Sequence, residues 1–269
     1  MFKRALLLLC ISLPSFGAVI ETKNLVATRG GGSQLVIPAA GSLAGANGTY
    51  FRSEINLINY TNRTQRVQLQ WLPQGFPPEA FPTVTISINP MSGISSEDFV
   101  PDLLHVSSGL GAILVTGVTA NDNMDATARL YASDRIWTNQ PGSSGTVSQT
   151  FNVMLTLDLT GSSSVSIIGL RRDSQYRLNI GIVNLASTPQ KFQVATNGGD
   201  TASLTVPGLS SQQFVLPGST PNLQVIVSNV TDSATRSPNW VAFGSSVDNV
   251  TGDSWSMLGF VPNIDIAGP

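Results

Sequence analysis

FRSEINLINYTNRTQRVQL at 51–69 and YRLNIGIVNLASTPQKFQV at 176–194 align without a gap, 125 residues apart. Phe51 meets Tyr176, Arg52 meets Arg177, Ile55 meets Ile180, Leu57 meets Ile182, Asn59 meets Asn184, and Gln65-Arg66 meets Gln190-Lys191. Aromatic, apolar, amide and basic positions coincide, which marks an internal repeat, and a repeat constrains the whole architecture. Upstream, TRGGGSQLVIP at 28–38 matches LTGSSSVSIIG at 159–169 at an offset of 131. The six-residue difference falls in one loop, where AAGSLAGANGTY at 39–50 contracts to the stretch around 171–175. Downstream, ISSEDFV at 94–100 resembles LSSQQFV at 209–215, and ARLYASDR at 128–135 resembles VAFGSSVD at 241–248.

The repeated segments carry the period of strands. Arg66-Val67-Gln68-Leu69-Gln70-Trp71 places every second, apolar side chain on one face. Strands are expected at 54–59, 66–71, 84–88, 112–119 and 128–133 in the first copy. In the second they are expected at 151–157, 165–170, 179–184, 191–196, 223–228 and 240–244. Clusters of Asn, Gly, Pro and Ser between them supply turns. Beyond the N-terminus no stretch has the three-and-four apolar spacing of an amphipathic helix. Roughly seven strands per copy fit an antiparallel two-sheet sandwich. The fold expected is therefore all-β, with two tandem antiparallel β-sandwich modules of immunoglobulin-like kind related by internal duplication. The Gly/Ser/Thr-rich stretch 142–149 reads as a turn or short linker, giving modules 19–149 and 150–269. A membrane barrel also uses alternating strands, but the aromatic girdles and even hairpin spacing of one are not seen.

Residues 1–18 read as a signal peptide. Lys3 and Arg4 precede an apolar run from Ala5 to Leu13, Pro14 breaks it, and Ser15 and Gly17 bring small residues to a cleavage site near Ala18. Leu9 and Ile11 flank Cys10 where a lipoprotein site needs a small residue before the cysteine, so Cys10 is expected to leave with the peptide. The mature chain then lacks disulfides, thiol nucleophiles and cysteine-bound metals. No later segment approaches the roughly 18 uninterrupted apolar residues of a membrane span. The expected location is secreted, extracellular or periplasmic.

Charge narrows the partners. Only 11% of residues are charged, 14 Lys+Arg against 16 Asp+Glu, and no basic cluster is larger than Arg171-Arg172. Nucleic acid, which needs a phosphate-neutralising stripe, is not an expected partner. The single histidine, His105, excludes a two-histidine zinc site, and no G-x-S-x-G elbow accompanies it in PDLLHVSSG, which reads as an exposed loop. TRGGGS at 28–33 lacks the G-K-[ST] ending of a phosphate cradle and reads as a hairpin turn. The glutamates Glu21, Glu54, Glu79 and Glu97 do not recur in the second copy and read as surface charge. Asp122 with Asp125, and Asp248 with Asp253, sit in Asp/Asn-rich loops with the oxygen ligands calcium takes, although the same residues favour turns on their own account. Trp71 and Trp240 lie in strand patterns and are expected in the core. Trp137 in DRIWTNQPG and Trp255 in TGDSWSM are the candidates for contact with a partner. No cofactor is expected.

IPAAGSLAGANGTYFRSEINLIN followed by a Q-x-V-x-L strand resembles a module of uncharacterised secreted bacterial proteins, found in tandem or attached to larger extracellular proteins. The resemblance implies a β-sandwich and export, and brings no catalytic residue with it. Together these readings favour an exported, non-enzymatic binding or structural protein that presents loops or sheet edges to an unknown protein or glycan. Self-association through edges poor in Lys is one form of this. The alternatives are a secreted hydrolase, such as a carbohydrate-active one, using Asp/Glu, and a two-domain periplasmic chaperone capturing peptides at an edge strand.

Overall fold

A computed structural model of the chain describes residues 31–45, 48–76, 83–140, 142, 144–156, 163–220 and 223–261. The expected signal peptide, Cys10, Glu21, Glu79 and the start of the 28–33 turn lie outside them. The described residues form antiparallel β-sheets and one short helix. In chain order the first strands are β1 (Gln34–Ala44), β2 (Tyr50–Asn59), β3 (Gln65–Pro73), β4 (Val84–Ile88) and β5 (Ser92–Ser96). Helix α1 (Phe99–Leu104) leads to β6 (Gly109–Val118), β7 (Leu130–Asn139), β8 (Thr146–Phe151) and β9 (Met154–Leu155). Then come β10 (Ser164–Leu170), β11 (Tyr176–Asn184), β12 (Gln190–Thr196), β13 (Thr201–Val206), β14 (Ser210–Val215), β15 (Leu223–Asn229), β16 (Trp240–Asp248) and β17 (Ser254–Leu258).

Nine strands form one sheet that doubles back through β1. One limb runs β4-β3-β6-β1 with β9 on β1, the other β2-β7-β8 with β5 on β2, and β1 joins them where Leu43 and Ala44 meet Phe51 and Tyr50. Two four-stranded sheets follow, β14-β11-β16-β17 and β10-β15-β12-β13. Strand order thus recurs between the halves: β4-β3-β6-β1 is answered by β13-β12-β15-β10, and β5-β2-β7-β8 by β14-β11-β16-β17. A break in register recurs with it, between Ile37 and Ala40 in β1 and between Ile167 and Leu170 in β10.

The repeated asparagines explain part of this likeness. Asn59 Nδ2 donates to the carbonyls of Arg63, Ile88 and Asn89, and its Oδ1 accepts from Thr61 N. Asn184 makes the same set with Thr188, Val206, Pro207 and Ala186. Each amide ties the turn after its own strand to the end of β4 or β13. It satisfies backbone groups that no ladder reaches, where an unpaired buried group costs about 1–3 kcal/mol.

Three apolar layers fill the spaces between the sheets. One lies between the two limbs, with Ile55, Leu57, Val67, Leu69, Trp71 and Ile113. Another lies between the two smaller sheets, with Ile180, Ile182, Phe192, Val194, Val225 and Trp240. The third joins the halves: Val36, Ala39, Leu72 and Ala112 from the first limb pack on Val183, Val241 and Phe243 of β11 and β16, with Phe151 of β8 beside them. Phe151 and Phe243 meet edge to face at 5.3 Å. The Phe243 ring lies over Gly181, where any Cβ would overlap it. Hydrogen bonds rim this seam. Ser210 and Ser211 hydroxyls donate to the carbonyls of Pro73 and Leu72, Gly75 N to Ser211 O, and the Ser256 hydroxyl to Thr150 O.

Several expectations are corrected here. The single strand expected at 151–157 is the end of β8 followed by the two-residue β9, and β9 pairs with β1. β8 runs through residues 149 and 150 and is hydrogen-bonded to β7 from Thr146 to Phe151. The stretch read as a loop around His105 contains α1, and His105 ends it, exposed and at φ 58. Asn59 faces Leu130 and Ser92, while Asn184 faces Trp240 and Ser210. Leu130 thus corresponds to Trp240 and Ser92 to Ser210, each three residues away from the alignment read in the sequence.

Candidate functional site

The seam is closed by apolar contact at one end and opens at the other. Along the outward face of β11 the residues run Val183, Gly181, Asn179, Arg177, passing from aliphatic to amide to guanidinium. On β16 they run Val241, Phe243, Ser245, Val247. Where the sheets part there is a cleft of about 620 Å³. Its first-half wall comes from the β1–β2 hairpin (Leu43, Phe51) and from β7 and β8 (Thr138, Val147, Ser148, Gln149). The opposite wall carries Arg177, Asn179, Gln213 and Ser245, with the 248–252 turn at the rim. At its inner edge Gln149 Nε2 donates to Ser245 Oγ (2.7 Å), and that hydroxyl donates to Gln149 Oε1 (2.9 Å). Both halves supply the walls, so neither half alone has this site.

The few charges at the cleft are already engaged. Asp248 Oδ1 accepts from Val250 N (2.7 Å) and Thr251 N (3.1 Å), and Oδ2 from Gln175 Nε2 (2.9 Å). The two backbone donors, Val250 first, hold its carboxyl below the usual aspartate range. Arg177 Nη1 donates to Asn249 Oδ1 at 3.1 Å. The turn held by Asp248 presents Val250, 85% exposed, at the rim.

The structure does not bring the four candidate calcium ligands together. Asp122 pairs with Arg66 (2.8 Å), and Asp125 with Arg63 (2.7 Å) and the Thr127 hydroxyl (2.6 Å). The Thr127 bond is the main reason the Asp125 carboxyl lies below its usual range. Asp253 Oδ1 accepts from Ser254 N. Among the described residues no three His, Asp or Glu side chains gather as metal ligands would.

Trp137 and Trp255 are half-buried and stand beside the cleft, not in it. Ile136 and Thr138 line the cleft, so strand alternation turns Trp137 to the outer face of β7. There its Nε1 donates to Glu97 O (3.1 Å), and the Arg52 guanidinium lies 5.2 Å from its ring and 4.9 Å from that of Tyr50. Trp255 likewise turns away from Ser254, donates to Gly169 O (2.9 Å) and meets the Tyr176 ring at 5.6 Å. Arg171 covers Tyr176 at 4.2 Å. Trp71 and Trp240 are in the core, 1% and 4% exposed.

Sequence reading missed the cleft because Asn179, Gln213, Ser245 and Gln149 are spread over four strands. The one visible signal was the change along β11, where outward positions turn from aliphatic to polar within a single strand.

No protein-family model matches this sequence, and no curated protein matches it. Among solved structures, the M60 catalytic domain with the CBM51-1 and CBM51-2 domains from Clostridium perfringens ZmpB overlays 83% of this chain at 9% identity and a TM-score of 0.22. The overlay spans 36% of that chain. At that TM-score the overlay carries no argument about this protein's fold or function.

Proposed function

We propose that this is an exported binding or structural protein made of two immunoglobulin-like β-sandwiches that arose by duplication, and that it holds its ligand in the cleft where the two part. The recurrent strand order, the break in register at matching places and the paired Asn59 and Asn184 clasps support the duplication. The strand pairing favours a division after β9. The basic and apolar character of residues 1–18 supports export. The cleft carries the functional reading: it is walled by both halves, and its volume lies in the range of about 300–1,000 Å³ typical of ligand sites. Because the apolar seam locks the halves together, the walls are set before a ligand arrives, which lowers the ordering cost of binding.

The test is capture by the immobilised mature chain from envelope and culture-medium extracts, with bound protein and glycan identified together. Asn179→Trp, which fills the cleft, should abolish capture, and Gln213→Trp serves as a second variant should the first fail to fold. Capture unaffected by both folded variants sinks the cleft as the binding site. N-terminal sequencing of chain recovered outside the cytoplasm should begin near Ala18, and an intact Met1 there would sink the signal peptide.

A further inference from the structure

We infer that the cleft takes a neutral glycan, a proposal that rests on the binding reading above. The wall chemistry points this way. Hydrogen-bonding side chains at the surface are mostly uncharged amides and hydroxyls, such as Gln140, Ser148, Asn179, Gln213 and Thr251, contributed from both sides. An amide offers a donor and an acceptor a short distance apart, which suits the neighbouring hydroxyls of a pyranose ring. The two ionised groups present, Arg177 and Asp248, are held by Asn249 and by the turn that Asp248 caps. One cation and one anion leave the lining with no net charge, so neither sign of ligand is favoured over a neutral one.

Apolar surface alternates with these groups. Half-buried Phe51, with Leu43, Val147 and Val247, offers flat hydrocarbon to the C–H face of a sugar while the amides address its hydroxyls. A peptide held by strand addition would need an open row of backbone groups. Of the strands that line the cleft, β7, β11 and β16 are paired on both sides, β7 by β2 and β8, β11 by β14 and β16, β16 by β11 and β17, whereas β8 pairs with β7 and has its other edge turned out of the sheet. The amides and hydroxyls on the paired strands and in the rim turn then address the ligand through side chains, and the volume leaves room for a short chain of rings.

The experiment titrates the mature chain with cellotetraose, xylotetraose, mannotetraose and chitotetraose, with tetragalacturonate as an anionic control, by calorimetry. At least one neutral tetramer should bind. Asn179→Ala and Gln213→Ala should each weaken it about tenfold, the loss of one or two polar contacts. Trp137→Ala, on the far face of β7, should leave it unchanged. The proposal is overturned by three results: no neutral tetramer binding at millimolar concentration, preference for tetragalacturonate, or affinity that falls in Trp137→Ala and holds in the cleft variants. The capture assay separates the two readings. If Asn179→Trp loses capture while every neutral tetramer fails, the cleft stands and the ligand class is wrong; if it retains capture, the cleft itself is wrong.

Discussion

Gly41 in the first half and Arg171 in the second lie four residues past Ile37 and Ile167, just beyond the same break in register. Each has its N–H and its C=O met by a single serine hydroxyl. At Gly41 this is Ser53 of β2, at 2.7 and 3.1 Å; at Arg171 it is Ser246 of β16, at 2.8 and 2.9 Å. The cross-strand pairs holding these serines are Ser53–Ile136 and Leu178–Ser246. Hydroxyl and aliphatic chain have changed strands while the clasp persists. A similar exchange occurs one layer deeper. Asp134 faces Ile55 and its counterpart Gly244 faces Ile180. Gly244 is bare because Leu170 occupies the space of a Cβ, and the first half has Ala40 where the second has Leu170. The comparison shows what the two halves have in common, namely backbone satisfaction and filled volume, and where they differ, namely which strand supplies either.

The largest effect should come from separating the halves. Phe243→Ala removes the ring that packs on Gly181 and Phe151, and a buried Phe→Ala change costs about 3–5 kcal/mol. With the seam intact, urea unfolding followed by tryptophan fluorescence should be a single transition. In the variant it should split in two, since Trp71 and Trp137 report on one half and Trp240 and Trp255 on the other. A single transition that merely shifts to lower urea would show that the seam's apolar layer is not what couples them.

This seam also marks where the sequence stopped being legible. The stretches 51–69 and 176–194 keep one register in the structure, because Asn59 and Asn184 make matching buried hydrogen bonds and Gln65 and Gln190 each donate to a neighbouring carbonyl. The segments at 128–135 and 241–248 misaligned by three because β16 is buried along its whole length. With Trp240 and Ala242 facing one core and Val241 and Phe243 the other, alternation no longer says which face is inward, and an odd slip passes unnoticed. Strands that serve two cores read as continuous apolar runs. The runs Leu35-Val36-Ile37 and Val241-Ala242-Phe243 are the trace that the third layer leaves in the sequence. The cleft depends on how those layers diverge, which no single strand records.

Asp134 sharpens the comparison from the other side, because the matching position in the second half is Gly244. Its carboxyl is fully enclosed, neither oxygen has a hydrogen-bond partner, and burial raises its pKa well above the ordinary aspartate value. A raised folded-state pKa means that the folded protein binds the proton more tightly than the unfolded chain. The penalty is therefore complete above the folded pKa, shrinks as pH falls through it, and is gone below the unfolded value of about 3.9. Asp134→Val keeps the volume and suits a strand. It should stabilise the protein by about 2 kcal/mol at pH 8. Urea midpoints of variant and parent should converge toward pH 4. A difference independent of pH would mean that the gain comes from packing and not from removing a buried carboxyl.

The smallest effect tests whether the two serine clasps are equivalent despite sitting on different strands. Ser53→Ala and Ser246→Ala each strip a hydroxyl that serves one backbone donor and one acceptor in buried surroundings, a loss of about 1–2 kcal/mol in either half. Near-equal losses are expected because each serine answers the same two groups at matching distances, and the strand it comes from does not enter. The clasps lie in different sandwiches and have no partner in common, so the double variant should lose the sum to within about 0.5 kcal/mol. Unequal single losses would show that the exchanged aliphatic neighbours, Ile136 and Leu178, contribute to the clasp. Non-additivity would carry the coupling between halves beyond the seam into the two outer cores, and the comparison of two separately built sandwiches would have to give way to a single continuous one.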